Sequence, residues 1–385
     1  MHVLLMLTYY RPHTSGLTIY AERLARGLAR RGHQVTILTS HYRRNLPLVE
    51  ELDGVRVVRS RVLFRVSKGV IMPAIGFQAW KYVREADVVS LHLPQFDAAG
   101  AAFRGRLLRK PTVLTYHCDL KLPGGPFNWT VNQVVHVMNT LAGLFTHRIV
   151  AYTQDFAEHS PYLRRFAGKL RIIPPPVELP DAGPSGAAAF AKMHNPENKH
   201  PIIGMAARLA SEKGVEVLLN AFPRILERYP DARIFFAGQY RNVIGERAYA
   251  RRLDPIIRRY EENGQWKFLG ILPPLHMAAF YPLLDVLTVP SLNSTESFGL
   301  VQVEAMLNSV PCVASDLPGV RQPVLQTGMG EIAPIGDAEG LAEALLKVLD
   351  HRLTYLRPRA EIAARFSTER TVLEYEALFE ELLES

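Results

Sequence analysis

The chain has 385 residues, 48% of them hydrophobic and 21% charged. That is apolar material for two cores of roughly 180–190 residues each, and it excludes a disordered or fibrous chain. No apolar run reaches spanning length, and the two cysteines, Cys118 and Cys312, have neither metal-ligand nor disulfide spacing, which fits a reducing, cytoplasmic setting. The net charge of +8 is uneven: residues 1–180 hold 24 lysines and arginines against 11 acids, and 181–385 hold 21 against 26. The first half is expected to meet something anionic.

In chain order, Val3–Leu7 follows the initiating residues with no basic leader and reads as a strand. An amphipathic stretch, Leu17–Arg31, is expected as a helix, with Ile19, Leu24 and Leu28 on one face. Gln34–Thr39, Val55–Arg59, Asp87–Leu91, Thr112–Tyr116 and Arg148–Tyr152 read as further strands. The Pro- and Gly-rich run 176–199 then reads as a linker. Alternation resumes with strands at Pro201–Ala206, Arg233–Ala237, Trp266–Leu269, Asp285–Val289 and Pro311–Ala314. Helices at Val215–Arg228, Glu246–Glu262, Leu300–Asn308 and Leu341–Leu349 separate or follow them, and Glu369–Leu383 closes the chain. Strands alternating with helices, twice over, predict an α/β protein of two doubly wound, Rossmann-like domains facing a central cleft. The expected division is 1–175 with the returning helix 366–385, the linker 176–199, and 200–365.

No P-loop, nucleophile elbow or H-E-x-x-H motif occurs. Gly328-Met-Gly330-Glu-Ile-Ala333 matches a dinucleotide fingerprint in letters only, because no strand-to-helix turn is expected there. D-x-D, the simplest carboxylate pair for holding a metal against a diphosphate, is absent, and the histidines lack ligand spacing, so no metal site is expected.

The most informative segment is Pro290-Ser-Leu-Asn-Ser-Thr-Glu296-Ser-Phe298-Gly299-Leu300-Val-Gln-Val-Glu304-Ala-Met306. A strand ending at Pro290 and a helix beginning near Phe298–Gly299 would aim backbone N–H groups at an anion. Glu296 before the helix and Glu304 two turns later suit recognition of sugar and ribose hydroxyls. Taken alone, Glu296 could equally cap the helix and Glu304 lie on a solvated face. Arg208 and Lys213 stand in a second strand-to-helix turn, where a guanidinium and an ammonium could neutralise a leaving diphosphate. In the first half, Gly16 lies in a loop after a strand, and His117 follows another strand, within reach of a hydroxyl.

In this order, Ser15-Gly16, His117, Arg208…Lys213-Gly214 and Glu296-x7-Glu304 resemble the retaining, nucleotide-sugar-dependent glycosyltransferases of family 4, with the two-domain GT-B fold. The resemblance covers nearly the whole chain. It departs from the family pattern at Ser15, Ser309-Val310 and Gln322, where many members have glycine, glycine and an acid. It implies that Glu296 binds the donor sugar and Glu304 the ribose. Phe298, Gly299 and Leu300 would offer N–H groups, and Arg208 and Lys213 would hold the diphosphate. Gly16 would approach the phosphates, Gly270 and Leu272 would border the base, and His117 would sit by sugar and acceptor. The catalytic set would be Glu296, His117, Arg208 and Lys213. No cofactor or metal is implied, the nucleotide-diphosphate sugar being a co-substrate.

The acceptor side would be the basic half. Arg43, Arg44, Arg59, Arg61, Arg65 and Lys68, interleaved with apolar residues up to Ile71, could rest peripherally on an anionic inner membrane face and reach a lipid-linked glycan acceptor. Nucleic acid is not expected, since no recognised module is present. Two alternatives share the fold: a non-catalytic nucleotide-sugar-binding protein and a nucleotide-sugar epimerase.

Overall fold

The computed structural model describes residues 1–66, 69–120 and 125–385. The chain divides into two compact units, Met1–Pro176 with Phe366–Ser385, and Val177–Arg365.

The first unit runs β1 (His2–Met6), α1 (Gly16–Arg30), β2 (Gln34–His41), β3 (Val49–Leu52), β4 (Val55–Arg61), β5 (Phe64–Val66), β6 (Gly69–Ile71), α2 (Ile75–Glu85), β7 (Val88–Leu93), α3 (Ala98–Leu107), β8 (Thr112–Tyr116), α4 (Pro126–Phe145), β9 (Arg148–Ala151), α5 (Gln154–His159), α6 (Pro161–Arg165) and β10 (Leu170–Ile172). Its main sheet has the order β10-β9-β8-β7-β1-β2-β4-β3, parallel except for β3 on β4. β1 lies between β2 and β7, so the winding direction reverses there. β7 is buried along its whole length, as a strand covered on both faces must be. One layer of the core joins the sheet to α2–α6.

The second unit runs α7 (Gly183–His194), β11 (Ile202–Ala206), α8 (Val215–Arg228), β12 (Arg233–Ala237), α9 (Arg247–Glu262), β13 (Trp266–Gly270), α10 (Pro274–Phe280), β14 (Val286–Val289), α11 (Leu300–Met306), β15 (Cys312–Ser315), α12 (Gln322–Thr327), β16 (Gly330–Ala333), α13 (Ala338–Asp350) and α14 (Arg359–Phe366), the last reaching one residue past the unit boundary. Its sheet, β13-β12-β11-β14-β15-β16, is wholly parallel, with the switch between β11 and β14. Alternate strand residues, Ile203 and Met205, then Ile234 and Phe236, pack with α8, α9 and α13. In α8, Val215, Leu218, Leu219, Phe222 and Ile225 recur at helical spacing and are buried.

The chain then returns to the first unit as α15 (Thr368–Glu384). Ser367 caps this helix by accepting the Arg370 N–H. Buried Tyr375 hydrogen-bonds Tyr20 of α1 and Thr115 of β8, each at 2.7 Å. A side chain at Gly27 would collide with Val372, so the close approach of α1 and α15 depends on that glycine.

Two expectations need correction. The stretch 176–199 is not simply a linker: Gly183–His194 is helical, because its alanine-rich run places Phe190 in a buried position and packs on α10. The basic stretch 43–71 is not one solvated surface. Arg59 is 1% exposed, donates to the Pro47 and Arg11 carbonyls and pairs with Glu50, and Val70 is buried. Lys68 lies outside the described residues.

Candidate functional site

The turns after β11 and β14 meet beside the switch point of the second sheet, where ligands of doubly wound sheets bind. They are tied by backbone: the Leu292 N–H donates to the Glu212 carbonyl at 2.9 Å. Gly214 opens α8 at φ +70°, and a side chain there would strike the Pro290 carbonyl. Only glycine allows both the left-handed backbone and the contact.

This approach sets the central ion pair. Lys213 Nζ donates to Glu296 Oε2 at 2.6 Å, with both side chains largely buried. The other carboxylate oxygen of Glu296 accepts the Gly299 N–H at 3.1 Å. Glu296 therefore both caps the turn, as the structural reading of the sequence had it, and holds the lysine. Arg208, 43% exposed at its side chain, pairs with Glu212 at 3.1 Å and is the more accessible cation.

Helix α11 begins at Leu300, with Gly299 at its N-cap. Of the expected donors, the Gly299 N–H is taken by Glu296, and the Phe298 side chain is buried. Phe298 and Val320 each offer a carbonyl to buried Gln302, at 3.0 and 2.9 Å, which fixes the turn. Glu304 is 6% exposed, and its Oε2 accepts the hydroxyl of buried Tyr281 at 2.7 Å. That partner was not legible in the sequence, since Tyr281 lies in the preceding helix-to-strand connection. Gly270 ends β13 and accepts the Gly238 N–H at 2.7 Å, with Leu272 two residues beyond. Gly328 and Gly330 form a helix-to-strand turn between α12 and β16, the reverse of a dinucleotide fingerprint.

Gly16 and His117 belong to the first unit. Gly16 opens α1 at the carboxyl side of β1, behind the Ser15 cap, and the space where its side chain would be is open. His117 is 5% exposed. Its Nε2 meets His92 Nδ1 at 2.9 Å and its Nδ1 meets the Tyr152 hydroxyl, while Tyr20 packs edge-on against the ring at 4.9 Å. Burial lowers the His117 pKa far below the ordinary value, with His92 adding to it, and burial alone lowers His92 to about 3. His117 is thus a neutral member of a buried network. The sequence pointed to this residue but not to His92 and Tyr152, which sheet order brings beside it, nor to Tyr375 of the returning helix, which reaches the network through Tyr20.

Two doubly wound units, one wholly and one largely parallel, have the architecture of the GT-B class. The model for Glycosyltransferase Family 4 matches residues 14–180, and that for Glycosyl transferases group 1 matches 188–366. The chain belongs to the family 4 glycosyltransferases and is a hexosyltransferase of that type. It is 25% identical over 341 residues to the phosphatidyl-myo-inositol mannosyltransferase of Mycolicibacterium smegmatis, covering 87% of this chain and 81% of that one. It is 32% identical over 186 residues to the D-inositol 3-phosphate glycosyltransferase of Corynebacterium urealyticum, covering 47% and 43%. In fold it is similar to Anabaena Alr3699/HepE, solved in complex with UDP-glucose, with a TM-score of 0.78, 18% identity and 99% and 100% of the two chains covered.

Proposed function

We propose that the protein transfers a hexosyl group from a nucleotide-diphosphate sugar to an acceptor hydroxyl with retention of anomeric configuration. The observation that carries this reading is the Lys213–Glu296 pair beside Arg208 at the switch point. Breaking the sugar–phosphate bond develops positive charge on the sugar and negative charge on the diphosphate. Arg208 and Lys213 are assigned to the diphosphate, in the role a divalent cation holds elsewhere. Glu296, once released by Lys213, would accept hydrogen bonds from sugar hydroxyls, and Glu304, oriented by Tyr281, those of the ribose. Gly270 and Leu272 are assigned to the base, and the open space at Gly16 to the phosphates. The acceptor hydroxyl would attack on the face the diphosphate leaves, which takes its proton. His117, held neutral with both ring nitrogens engaged, is assigned to positioning rather than proton transfer.

The acceptor is proposed to be membrane-associated, and relatives named for phosphatidylinositol and inositol phosphate support a phosphorylated or lipid-linked polyol. The surface differs from the one expected at 43–71. Helix α4 spans 20 residues without Asp, Glu, Lys or Arg. It exposes Trp129, Val134, Val137, Leu141 and Leu144, next to Phe103 and Leu107 of α3. Lys169 and Arg106 donate to the carbonyls at its end, leaving a basic rim on an apolar face. No helix among the described residues is long and apolar enough to cross a membrane.

Donor hydrolysis tests the reaction. Release of nucleoside diphosphate from a panel of UDP-, GDP- and ADP-sugars, abolished by Glu296→Ala, is expected. Release left intact by that change would sink the assignment of the carboxylate. Vesicle co-sedimentation tests the surface: Val137→Asp with Leu141→Asp should abolish binding to anionic vesicles, and unchanged binding would remove α4 from the reading.

A further inference from the structure

Beyond β12 the second unit contains a cavity of about 560 Å³, whose walls include Tyr240, Arg241, Val243, Glu246, Arg247 and Arg251. That volume falls within the range of small-molecule sites, roughly 300–1,000 Å³. None of Arg208, Lys213, Glu296 and Glu304 lines it.

The walls are firmly held. Val243 is buried in the core, and Tyr240 stacks on Phe268 with ring centroids 4.1 Å apart. Glu246 is 5% exposed and accepts the Ser211 N–H at 3.0 Å. The charge on them works against the fold that carries it. Arg247 is the first residue of the 16-residue helix α9, Arg251 stands one turn on, and the first turn holds no acid. Cations at the positive end of a helix, repeated at i and i+4, are unfavourable on both counts. Neighbouring Arg252 is neutralised by Glu216, whereas Arg247 and Arg251 have no ion-pair partner among the described residues. The one acid in the lining, Glu246 at the N-cap of α9, is already engaged by the Ser211 N–H. Exposed guanidinium groups opposed by their own helix and without an ion-pair partner are relieved by a bound anion. Guanidinium forks match phosphate oxygens two at a time.

We propose that this cavity binds the phosphate group of a small organic phosphate, at a site separate from the one assigned to the donor diphosphate. The Glu246–Ser211 hydrogen bond joins it to the loop that carries Lys213.

Calorimetric titration of the full chain tests this with inorganic phosphate, glucose 6-phosphate, UDP and GDP as probes. Glucose 6-phosphate should bind the wild type and weaken at least tenfold in R247A/R251A, with partial recovery in R247K/R251K and a melting temperature of R247A/R251A no lower than that of the wild type. R208A/K213A should leave that affinity within twofold while losing the nucleoside diphosphate. The proposal is overturned if the wild type binds neither phosphate probe, if R247A/R251A binds glucose 6-phosphate as well as the wild type, or if that variant also loses nucleoside diphosphate. Nucleoside diphosphate binding that survives R208A/K213A would instead count against the donor assignment and leave the cavity standing.

Discussion

Lys213 Nζ and Glu296 Oε2 lie 2.6 Å apart, yet their residues are 83 positions apart in the chain and come from turns on either side of a sheet reversal. The pair satisfies each partner before any ligand arrives, and a diphosphate must compete with a carboxylate for the lysine. Taking the lysine would free the carboxylate for the sugar, so both halves of the donor would be recognised through one exchange.

Lys213→Ala and Glu296→Ala should each lower transfer by about 10²–10³-fold, the scale of losing one preorganised polar group at a reacting centre. The double variant should be little worse than the poorer single variant, because the two act through one exchange. Multiplicative losses in kcat/KM, measured for all four proteins, would show that they act separately.

Ser309 has φ +58°, in the left-handed region that favours glycine. Ser309→Gly should therefore stabilise the protein by about 1 kcal/mol, the order of the strain relieved. A rise in the urea midpoint checks this, and no change would mean that the loss of a side chain offsets the backbone gain.

The buried histidines give stability a pH dependence. His92 is lowered to about 3 in the folded protein, while an unfolded histidine titrates near 6.5. Between these values the unfolded chain binds the extra proton, so this contribution is complete above pH 6.5 and declines as pH falls toward 3. The slope is about 1.4 kcal/mol per pH unit per histidine, and His117 acts in the same direction. Urea midpoints at pH 7.5 and 5 should fall less in His92→Gln than in the wild type. Equal falls would show that His92 is protonated in the native state.

Gly27 and Val372 give a test of the returning helix. Gly27→Ala should destabilise the wild type by about 1–3 kcal/mol through overpacking, but in a Val372→Ala background the same change should be neutral or stabilising, since alanine is the better helix former. A penalty that is the same in both backgrounds would place the collision elsewhere.

The alternating pattern made most strands and amphipathic helices legible, and Arg208, Lys213, Glu296 and Glu304 lie in the strand-to-helix turns or the helix that follows, as read from sequence. What escaped lacked a local signal. The β-branched run in α4 carries no Asp, Glu, Lys or Arg to mark an outer helical face, and α7 hides behind glycine and proline. β10 is only three residues long and is defined by its parallel pairing with β9. The partners of His117 and Glu304 come from sheet order and packing, which no spacing of letters records. Arg59 looked like a surface charge because one sequence cannot show that carbonyls and Glu50 enclose it.

The return of α15 also bears on biosynthesis. Its acids meet basic partners in segments made much earlier, Glu376 with Arg31 and His33, and Glu381 with Arg148 and Arg171. Domains usually fold as units, the N-terminal one first. Here the unit that begins emerging first remains incomplete until α15 has left the ribosome, after all of the second unit has been translated. Nascent chains arrested before residue 367 should leave the first unit sensitive to protease, and full protection at that length would show that it folds without its final helix.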